Sequence, residues 1–270
     1  MPVAMLIARA AMTECPRDAA SIVGSGLTRR IEVPVLSQVP GLAHLFTVKG
    51  SDAGAALAES MDRPVPLLSL RQVHGAAVHV VDGRSRSSAL AGGPPPRDVE
   101  EGDALVAAES GLAVGVWVAD CVPILLCDET TRTAAAIHAG WRGTVKGVLG
   151  AAIAVLRSRF GADPGALRVA LGPCIGPCCF EVGNEVADAL LAAFPAAAAC
   201  VVPGERTRVD LVEANRLQAR AAGVPAGRIQ AAGLCTMCRP DLLESYRRGA
   251  GNAGRMAGII GWKGSREEAG

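Results

Sequence analysis

The most prominent pattern along the chain is a series of short apolar runs bounded by glycine, proline or charged residues. Three of these runs follow one another closely, at residues 111–120, 122–128 and 133–140. Each is rich in Val, Leu, Ile or Ala, with little polar alternation, which is typical of strands buried on both faces. We therefore predict a group of core strands in the middle of the chain.

Other short apolar runs predict further strands on either side of this group. They lie at residues 31–39, 66–83, 166–173, 228–233 and 256–262. Between two of the strand regions, residues 84–103 are rich in Ser, Gly, Pro and charge. This composition predicts a surface loop that is either a lid or disordered.

Three segments place apolar residues at helical spacing: 145–164, 184–194 and 210–223. The first stops at Gly161, and the last opens with Asp210 and Glu213 at capping-box spacing. Some strands are therefore joined by helices and others by hairpin-like turns. No repeat or linker divides the chain, so we predict one mixed α/β (α+β) domain over residues 1–270, distinct from a pure doubly wound sheet.

The charge balance argues against polyanionic partners. The chain has 270 residues, with 27 Lys and Arg against 26 Asp and Glu, for a net charge of +1. No overall field would attract nucleic acid or an anionic membrane, which favours a small-molecule partner. The opening apolar stretch is broken by Arg9 and is too short for a membrane span, so we expect a cytoplasmic protein. Nine cysteines, an odd number, favour reduced thiols over a disulfide framework.

Three reactive side chains share one setting, beside Gly or Pro where an apolar run ends. They are His74 in RQVHG, Cys121 in WVADCVP and His138 in AIHAG. Imidazole nitrogen and thiolate sulfur are preferred zinc ligands, and three protein ligands leave a fourth position open for water or substrate. Two alternatives remain: each residue could be a packed structural one, or His138 could deprotonate Cys121 for nucleophilic acyl transfer.

Several motifs in fixed order make the chain recognisable. The sequence resembles the purine nucleoside phosphorylase family formerly called multicopper polyphenol oxidases or laccase-domain proteins, over about residues 66–262. The motifs are RQVHG, DALVAAESGLAVGVWVADCVPILLCD, AAIHAGWRG, LGPCIGPCCFEVG, DLVEANRLQ, CTMC and SYRRGAGNAGR. The resemblance implies a single domain of the cytotoxic-necrotizing-factor-like type, with layered sheets between helices. It also implies a zinc site formed by His74, Cys121 and His138.

The same resemblance implies an enzyme that phosphorolyses adenosine, inosine and methylthioadenosine and also deaminates adenosine. In deamination the metal would activate water for attack on the purine, and Asp120 would transfer protons. In phosphorolysis the protein must hold phosphate while the glycosidic bond loosens. Arg142, Arg247 and Arg248 are candidates for that anion, the first because a predicted helix begins near Thr144.

Further residues near these motifs have two interpretations each. Arg255, beside glycine, could also contact phosphate, and Trp141 or Tyr246 could stack on the base, although rim or core packing explains them equally well. His44 and His79 are interpreted as structural.

The remaining cysteines also have competing interpretations. The segments CIGPCC (174–179) and CTMC (235–238) could form a structural zinc site from four thiolates. Alternatively, they could line the mouth of the active site, as the resemblance suggests, or act as small buried hydrophobes.

The segment 1–65 departs from the family pattern. Lys49 stands where an Arg is expected, and a Gly-rich turn is missing. We expect the substrate wall built by this segment to be altered, which bears on the nucleoside spectrum.

Other function classes stay open beside the phosphorylase. A cysteine hydrolase acting on a cell-wall peptide or amide would use Cys121 as nucleophile, with the metal absent or inhibitory. A copper-dependent polyphenol oxidase would need more histidines than the four present. A non-catalytic binding protein is a further alternative.

Overall fold

Two mixed six-stranded sheets stacked face to face form the centre of the computed structural model, which describes residues 20–81 and 100–264. The described strands are β1 (Ser21–Val23), β2 (Arg30–Glu32), β3 (Leu42–Thr47), β4 (Leu67–Leu68), β5 (Val78–Val81), β6 (Ala104–Ala107), β7 (Ala113–Val118), β8 (Val122–Asp128), β9 (Thr133–Ala139), β10 (Arg168–Leu171), β11 (Val201–Val202), β12 (Arg208–Val209), β13 (Ile229–Ala231) and β14 (Met256–Trp262). The strand orders are β1-β2-β3-β14-β7-β4 in the first sheet and β13-β10-β8-β9-β6-β5 in the second. Strands β11 and β12 form a separate ribbon.

Six α-helices accompany these strands in the described part of the chain. They are α1 (Pro34–Ser37), α2 (Ala53–Ser60), α3 (Trp141–Val145), α4 (Val148–Phe160), α5 (Asn184–Ala193) and α6 (Leu211–Ala221). Short 3₁₀ helices lie at Gly26–Thr28, Pro195–Cys200 and Ala226–Arg228. Over the described ranges, no helix has both the length and the apolarity needed to traverse a bilayer.

The central strands are buried on both faces. In β8, Leu125 and Cys127 contribute to the core between the sheets, whereas Ile124 and Leu126 pack in the layer toward the helices. Each such aliphatic side chain contributes roughly 1.5–3 kcal/mol on burial. Double-sided burial explains why the run VPILLCD lacks polar alternation.

Helices cover the outer faces of the two sheets. Helix α4 packs on the second sheet through residues such as Leu149 and Ile153. Helix α2 packs on the first sheet through Leu57. The result is four layers in the order helix, sheet, sheet, helix, which confirms the mixed α/β prediction.

Most predicted elements are confirmed. Strands form within all three central runs and within the three later ones, and helices α4, α5 and α6 lie within their predicted segments. Helix α4 ends at Gly161 in the left-handed conformation (φ 72°), and the Asp210 carboxylate accepts the N–H of Glu213 at 2.9 Å, as the capping patterns predicted.

Two predictions need correction. The run 31–39 is a strand only at its start, because Pro34 occupies the first turn of helix α1, where its fixed φ and missing N–H suit a helix. In the predicted surface loop 84–103, residues 84–99 lie outside the described part of the chain. Its last residues, Gly102 and Asp103, are buried rather than exposed.

Candidate metal centre and active-site cleft

Three connections bring His74, Cys121 and His138 together. His74 lies in the connection between β4 and β5, Cys121 in the bend between β7 and β8, and His138 next to the last residue of β9. One possible ligand atom from each lies within 4.8 Å of the others. Cys121 Sγ is 3.9 Å from His74 Nε2, and the two imidazole rings meet edge to face with centroids 4.8 Å apart. The arrangement offers two nitrogens and one sulfur to a metal ion.

A buried carboxylate holds two of these three residues. Asp103 Oδ1 lies 2.8 Å from His138 Nδ1 and also accepts the backbone N–H of His74 at 2.9 Å. Its Oδ2 accepts the N–H groups of Val73 and Gly75 at 3.3 and 2.6 Å. His74 has φ 57°, a left-handed conformation that is unfavourable for a residue with a Cβ, and these bonds offset its strain.

The bend that carries Cys121 is held in a similar way. Asp120 has φ 83°. Its Oδ1 accepts the hydroxyl of Thr236 at 2.5 Å, its Oδ2 accepts the N–H of Arg247 at 2.7 Å, and its carbonyl accepts the N–H of Ile175 at 2.9 Å. Both carboxylate oxygens of Asp120 are therefore engaged in fixing the position of Cys121.

A side-chain amide ties the His74 connection to the Cys121 bend. Gln72 donates through Nε2 to the Trp117 carbonyl and accepts the Trp117 N–H through Oε1, both at 2.7 Å. This pair imitates one step of a strand ladder where β4 has already ended. The two ligand-bearing segments are consequently in register.

The first glycine of the HAGWRG motif, Gly140, lies against the cluster. A Cβ at this position would lie 2.9 Å from Cys121 Sγ and 3.0 Å from His74 Cδ2. Any larger residue would push into the cluster. The glycine is needed for close approach of the backbone.

The pKa values of Cys121, His138 and Asp103 are shifted so that each group favours its charged form. Burial disfavours the charged forms, yet hydrogen bonds with His138 and His74 lower the Cys121 pKa to about 6. Burial likewise opposes charging of His138, but hydrogen bonds with Asp103 and Cys121 raise its pKa to about 9. The Asp103 pKa is lowered, because the His138 hydrogen bond and backbone N–H donors outweigh burial. In the protein without metal, a thiolate beside an imidazolium is therefore favoured at neutral pH.

The cluster lies in a cleft of about 1370 Å³. That volume exceeds the ~300–1,000 Å³ typical of small-molecule sites, so a nucleoside-sized ligand and an anion would fit together. Basic side chains in its lining are Arg71, Arg142, Arg206, Arg247 and Arg255. The lining also includes Asp120, Glu181, Glu185 and Glu205, and Arg206 is paired with Glu181 at 2.8 Å. A guanidinium group that is not paired with a carboxylate, such as that of Arg142 over the Trp141 ring, can bind an anionic ligand group.

Arg142 and Arg247 both line the cleft, and the predicted start of the helix that carries Arg142 needs correction. Helix α3 begins at Trp141 rather than near Thr144, so Arg142 lies inside the first turn of a short helix. Its guanidinium carbon is 4.3 Å from the centroid of the Trp141 ring. Arg247 donates from both Nη atoms to the Glu181 carbonyl, at 3.0 and 3.1 Å.

Arg248 has a different position from the one predicted. It does not line the cleft, and its guanidinium donates to the backbone carbonyls of Thr236 (2.6 Å), Met237 (3.4 Å) and Leu243 (2.5 Å). With its donors committed to the backbone, Arg248 braces the loops behind the site. Its geometry favours a structural role over phosphate binding.

Aromatic side chains are available on the cleft wall. Tyr246 is 53% exposed, and the Arg255 guanidinium carbon lies 5.7 Å from its ring centroid. Trp141 is half-buried, with Arg142 over one face. Tyr246 is the more accessible of the two predicted stacking residues.

The other two histidines have structural contacts. His44 is buried and accepts the N–H of Val33 at 2.9 Å, and burial lowers its pKa to about 4. His79 contacts the Glu101 carbonyl and the Glu100 carboxylate, both at 2.9 Å. Neither residue lines the cleft.

The divergent N-terminal segment stays away from the cleft over its described part. Residues 20–65 supply no lining group, and Lys49 uses its backbone N–H to bond the Leu242 carbonyl. The expectation that this segment alters the substrate wall therefore receives no support from the described residues.

Sequence reasoning missed three residues of the site. Asp103, Gln72 and Thr236 fix the positions of the candidate ligands, although none was singled out. Asp103 had a weaker signal than the predicted ligands, because it directly precedes an apolar run, at the start of β6, instead of ending one. It was not recognised because it is the last residue of the polar segment 84–103, which was predicted to be a surface loop.

Comparisons with known proteins agree with this fold. A family model described as multi-copper polyphenol oxidoreductase laccase matches residues 51–263. The purine nucleoside phosphorylase YlmD of Geobacillus stearothermophilus is 37% identical over 195 residues, covering 70% of each chain. Adenosine deaminase RL5, from an unknown prokaryotic organism, is 40% identical over 192 residues, covering 70% of this chain and 72% of the relative.

Two solved structures share the fold. The crystal structure of YlmD from Geobacillus stearothermophilus has a TM-score of 0.77 at 28% identity, over 92% of this chain and 100% of that one. The Bacillus licheniformis hypothetical protein YfiH has a TM-score of 0.78 at 26% identity, over 87% and 96%. With the match over residues 51–263, these likenesses show that the chain belongs to the multi-copper polyphenol oxidoreductase laccase family and is similar in sequence and fold to the purine nucleoside phosphorylase YlmD of Geobacillus stearothermophilus.

Proposed function

We propose that this protein is a zinc-dependent purine nucleoside phosphorylase that also deaminates adenosine. The observation that carries the proposal is the convergence of His74, Cys121 and His138 in a cleft with arginines in its wall. The names of the relatives give the substrate class. We further propose that residues 1–270 form a single catalytic domain, and that its four layers belong to the cytotoxic-necrotizing-factor-like type.

The donor set fits zinc. Two imidazoles and one thiolate leave one position of a tetrahedral ion for water or substrate. Zn–S and Zn–N bonds of about 2.3 and 2.1 Å place the two donor atoms roughly 3.6 Å apart at a tetrahedral angle. Cys121 Sγ and His74 Nε2 are 3.9 Å apart, close to that distance. When bound, the ion would act as a Lewis acid toward an oxygen or nitrogen of the substrate.

The arginines of the cleft would bind phosphate. Within the described residues the Arg142 guanidinium has no hydrogen-bond partner, and its stacking on Trp141 leaves its N–H edge available. Arg247 keeps an orientation set by the Glu181 carbonyl. Phosphate held between them would lie ready for attack at C1′ of the ribose, and Tyr246 would stack on the base.

We propose that Asp120 has a supporting role in proton transfer. It lines the cleft next to Cys121, and each of its carboxylate oxygens accepts one hydrogen bond and retains a second lone pair. We propose that Asp120 keeps Thr236 and the Arg247 backbone in place. Its remaining acceptor capacity would serve the base of the bound nucleoside.

One observation favours a second candidate, a cysteine hydrolase. The Cys121 thiol, whose pKa is lowered, is hydrogen-bonded to His138. The Asp103 carboxylate in turn orients His138. The same sequence of groups activates thiol nucleophiles. In that case the substrate would be a peptide or related amide, and metal would inhibit.

The deciding experiment combines metal analysis with a nucleoside panel. Adenosine, inosine and methylthioadenosine are incubated with and without phosphate, using wild type, Cys121→Ala and the buried-cysteine control Cys200→Ala. We expect base release that depends on phosphate, ammonia release from adenosine, and loss of both activities together with zinc in Cys121→Ala. Cys200→Ala should retain zinc and activity.

Other outcomes would redirect the proposal. Equal base release without phosphate would indicate a nucleoside hydrolase. Amide hydrolysis that persists in chelator and is abolished by alkylation of Cys121 would select the cysteine hydrolase. Oxidation of phenolic dyes in proportion to added copper would select the oxidase.

A further inference from the structure

A second group of sulfur atoms lies outside the site described above. The sulfurs of Cys178, Cys179, Cys235 and Cys238 all lie within 4.8 Å of one another. The first two follow β10 in the CIGPCC loop, and the other two follow β13 in the CTMC loop. Contrary to the expectation that the cysteines are reduced, Cys238 takes part in a disulfide bond, which leaves three thiols in the group.

The backbone holds the two cysteine loops in register. Cys174 and Cys235 form a parallel β-bridge, and the N–H of Thr236 donates to the Cys174 carbonyl at 2.9 Å. The N–H of Gly176 donates to Cys235 Sγ at 3.3 Å. Because these bonds already order the loops, the loops would lose little further conformational entropy when the thiols bind a ligand.

Two arginines and solvent access characterise the surroundings of the group. Arg208 Nη1 lies 3.5 Å from the Cys178 carbonyl, and Arg248 Nη1 donates to the Thr236 carbonyl at 2.6 Å. Cys235 is buried, whereas Cys178 and Cys179 are half-buried and can be reached from solvent.

We propose that Cys178, Cys179 and Cys235 form a second metal site, which takes a soft, thiophilic cation of the Zn²⁺ class. Thiolates select such cations over Mg²⁺ or Ca²⁺, and cysteine-rich structural zinc sites commonly join two loops. The three ligands come from both loops, so the cation cross-links them. None of these three residues belongs to the first metal centre.

The cross-linked loops support the first metal centre. Ile175, in the CIGPCC loop, donates its N–H to the Asp120 carbonyl, and Thr236, in the CTMC loop, donates its hydroxyl to Asp120 Oδ1. A cation between the loops would therefore stiffen the bend that carries Cys121. The cation would act on the first metal centre by restricting the motion of this bend and would not take part in the chemistry.

Cobalt substitution separates the two sites. The absorption band for charge transfer from thiolate to Co²⁺ requires a sulfur ligand, and Cys121→Ala removes the single sulfur of the first site. The full-length protein, anaerobic and without added thiol, is titrated with Co²⁺ as wild type, Cys121→Ala, Cys178→Ser/Cys179→Ser and the control Cys200→Ala. We expect the band to persist in Cys121→Ala, to fall at least threefold in Cys178→Ser/Cys179→Ser, and to be unchanged in the control.

Alkylation of the wild-type protein tests the proposal without a variant, so a folding defect cannot explain the result. Bound Zn²⁺ should slow modification of Cys178 and Cys179 at least tenfold, as followed by peptide mass spectrometry. Absence of the band in folded Cys121→Ala, or equal alkylation with and without Zn²⁺, would overturn the proposal. Neither result would affect the proposed phosphorylase, which depends on the other site.

Discussion

Nδ1 of His138 lies 2.8 Å from Oδ1 of Asp103, and the same carboxylate accepts the backbone N–H groups of Val73, His74 and Gly75. The buried Asp103 side chain thus orients the His138 ring and fixes the backbone of His74, two of the three candidate ligands. An Nδ1–H that donates to a carboxylate leaves Nε2 of His138 for a metal ion or thiol.

Asp103→Asn should weaken metal binding without unfolding the protein. The amide keeps the shape of the carboxylate but loses its charge and one acceptor, and carboxylates behind metal-bound histidines typically contribute about 10–100-fold to metal affinity or activity. Competition with a chromophoric zinc chelator measures the affinity. The matched control is Asp128→Asn, another buried aspartate, which caps a turn through the Thr130 N–H. Equal affinities for wild type and Asp103→Asn would contradict the assigned role.

Gly140→Ala should disrupt the cluster through a single methyl group. The added Cβ would lie 2.9 Å from Cys121 Sγ and 3.0 Å from His74 Cδ2, both shorter than ordinary contacts. We expect loss of bound zinc and at least a tenfold fall in turnover. Gly150→Ala, in helix α4, meets no atom within 4 Å and should raise stability by about 0.4–1 kcal/mol. Full metal content in Gly140→Ala would disprove this account of the motif.

The pH dependence of Cys121 reactivity should be unusual in protein stripped of metal. Its pKa is about 6, because hydrogen bonds with the two histidines outweigh burial. The thiolate therefore predominates above about pH 6, and the alkylation rate should rise through pH 6 and level off near neutrality. An ordinary thiol, with a pKa of about 8.5, would still be gaining reactivity there. Cys127, whose pKa burial raises to about 12, serves as the unreactive internal control.

Measuring the alkylation rate from pH 4 to 10, with His138→Gln for comparison, tests the cause. Loss of the His138 hydrogen bond should move the midpoint upward. A wild-type midpoint near pH 8.5 would show that the histidines do not stabilise the thiolate.

Arg142→Ala should raise the KM for phosphate. Hydrogen bonds to charged groups contribute about 1.5–3 kcal/mol, which corresponds to roughly 10–100-fold in affinity. The KM for nucleoside should change much less, because the guanidinium would contact the anion. Arg220→Ala, at the exposed end of helix α6, is the control. A larger effect on nucleoside than on phosphate would assign Arg142 to the base or ribose instead.

Arg248→Ala should act on stability instead. It removes hydrogen bonds to three backbone carbonyls that join the CTMC loop to residue 243. We expect thermal unfolding several degrees lower and a phosphate KM within twofold of wild type at a temperature where the variant is folded. A rise in the phosphate KM without a change in the nucleoside KM would show that Arg248 does bind phosphate.

Local pattern was sufficient for most of the secondary structure and for the choice of candidate ligands. Apolar runs without alternation marked β7, β8 and β9, since strands buried on both faces have no polar side, and Gly161 marked the end of α4. The identity of Cys121 and the two histidines as candidate zinc ligands followed from residue type and from position at strand ends. None of this required knowledge of long-range contacts.

Only the tertiary structure decided which side chains support that cluster. Asp103 lies 35 positions from its partner His138, and Gln72 lies 45 from Trp117, so no local window links them. Arg247 and Arg248 are neighbours in SYRRG, yet one lines the cleft and the other braces backbone carbonyls. Sequence by itself determined the elements and the available chemistry, because periodicity and residue type are local properties. Which group faces which depends on how two sheets stack, and that is set by packing across the whole chain.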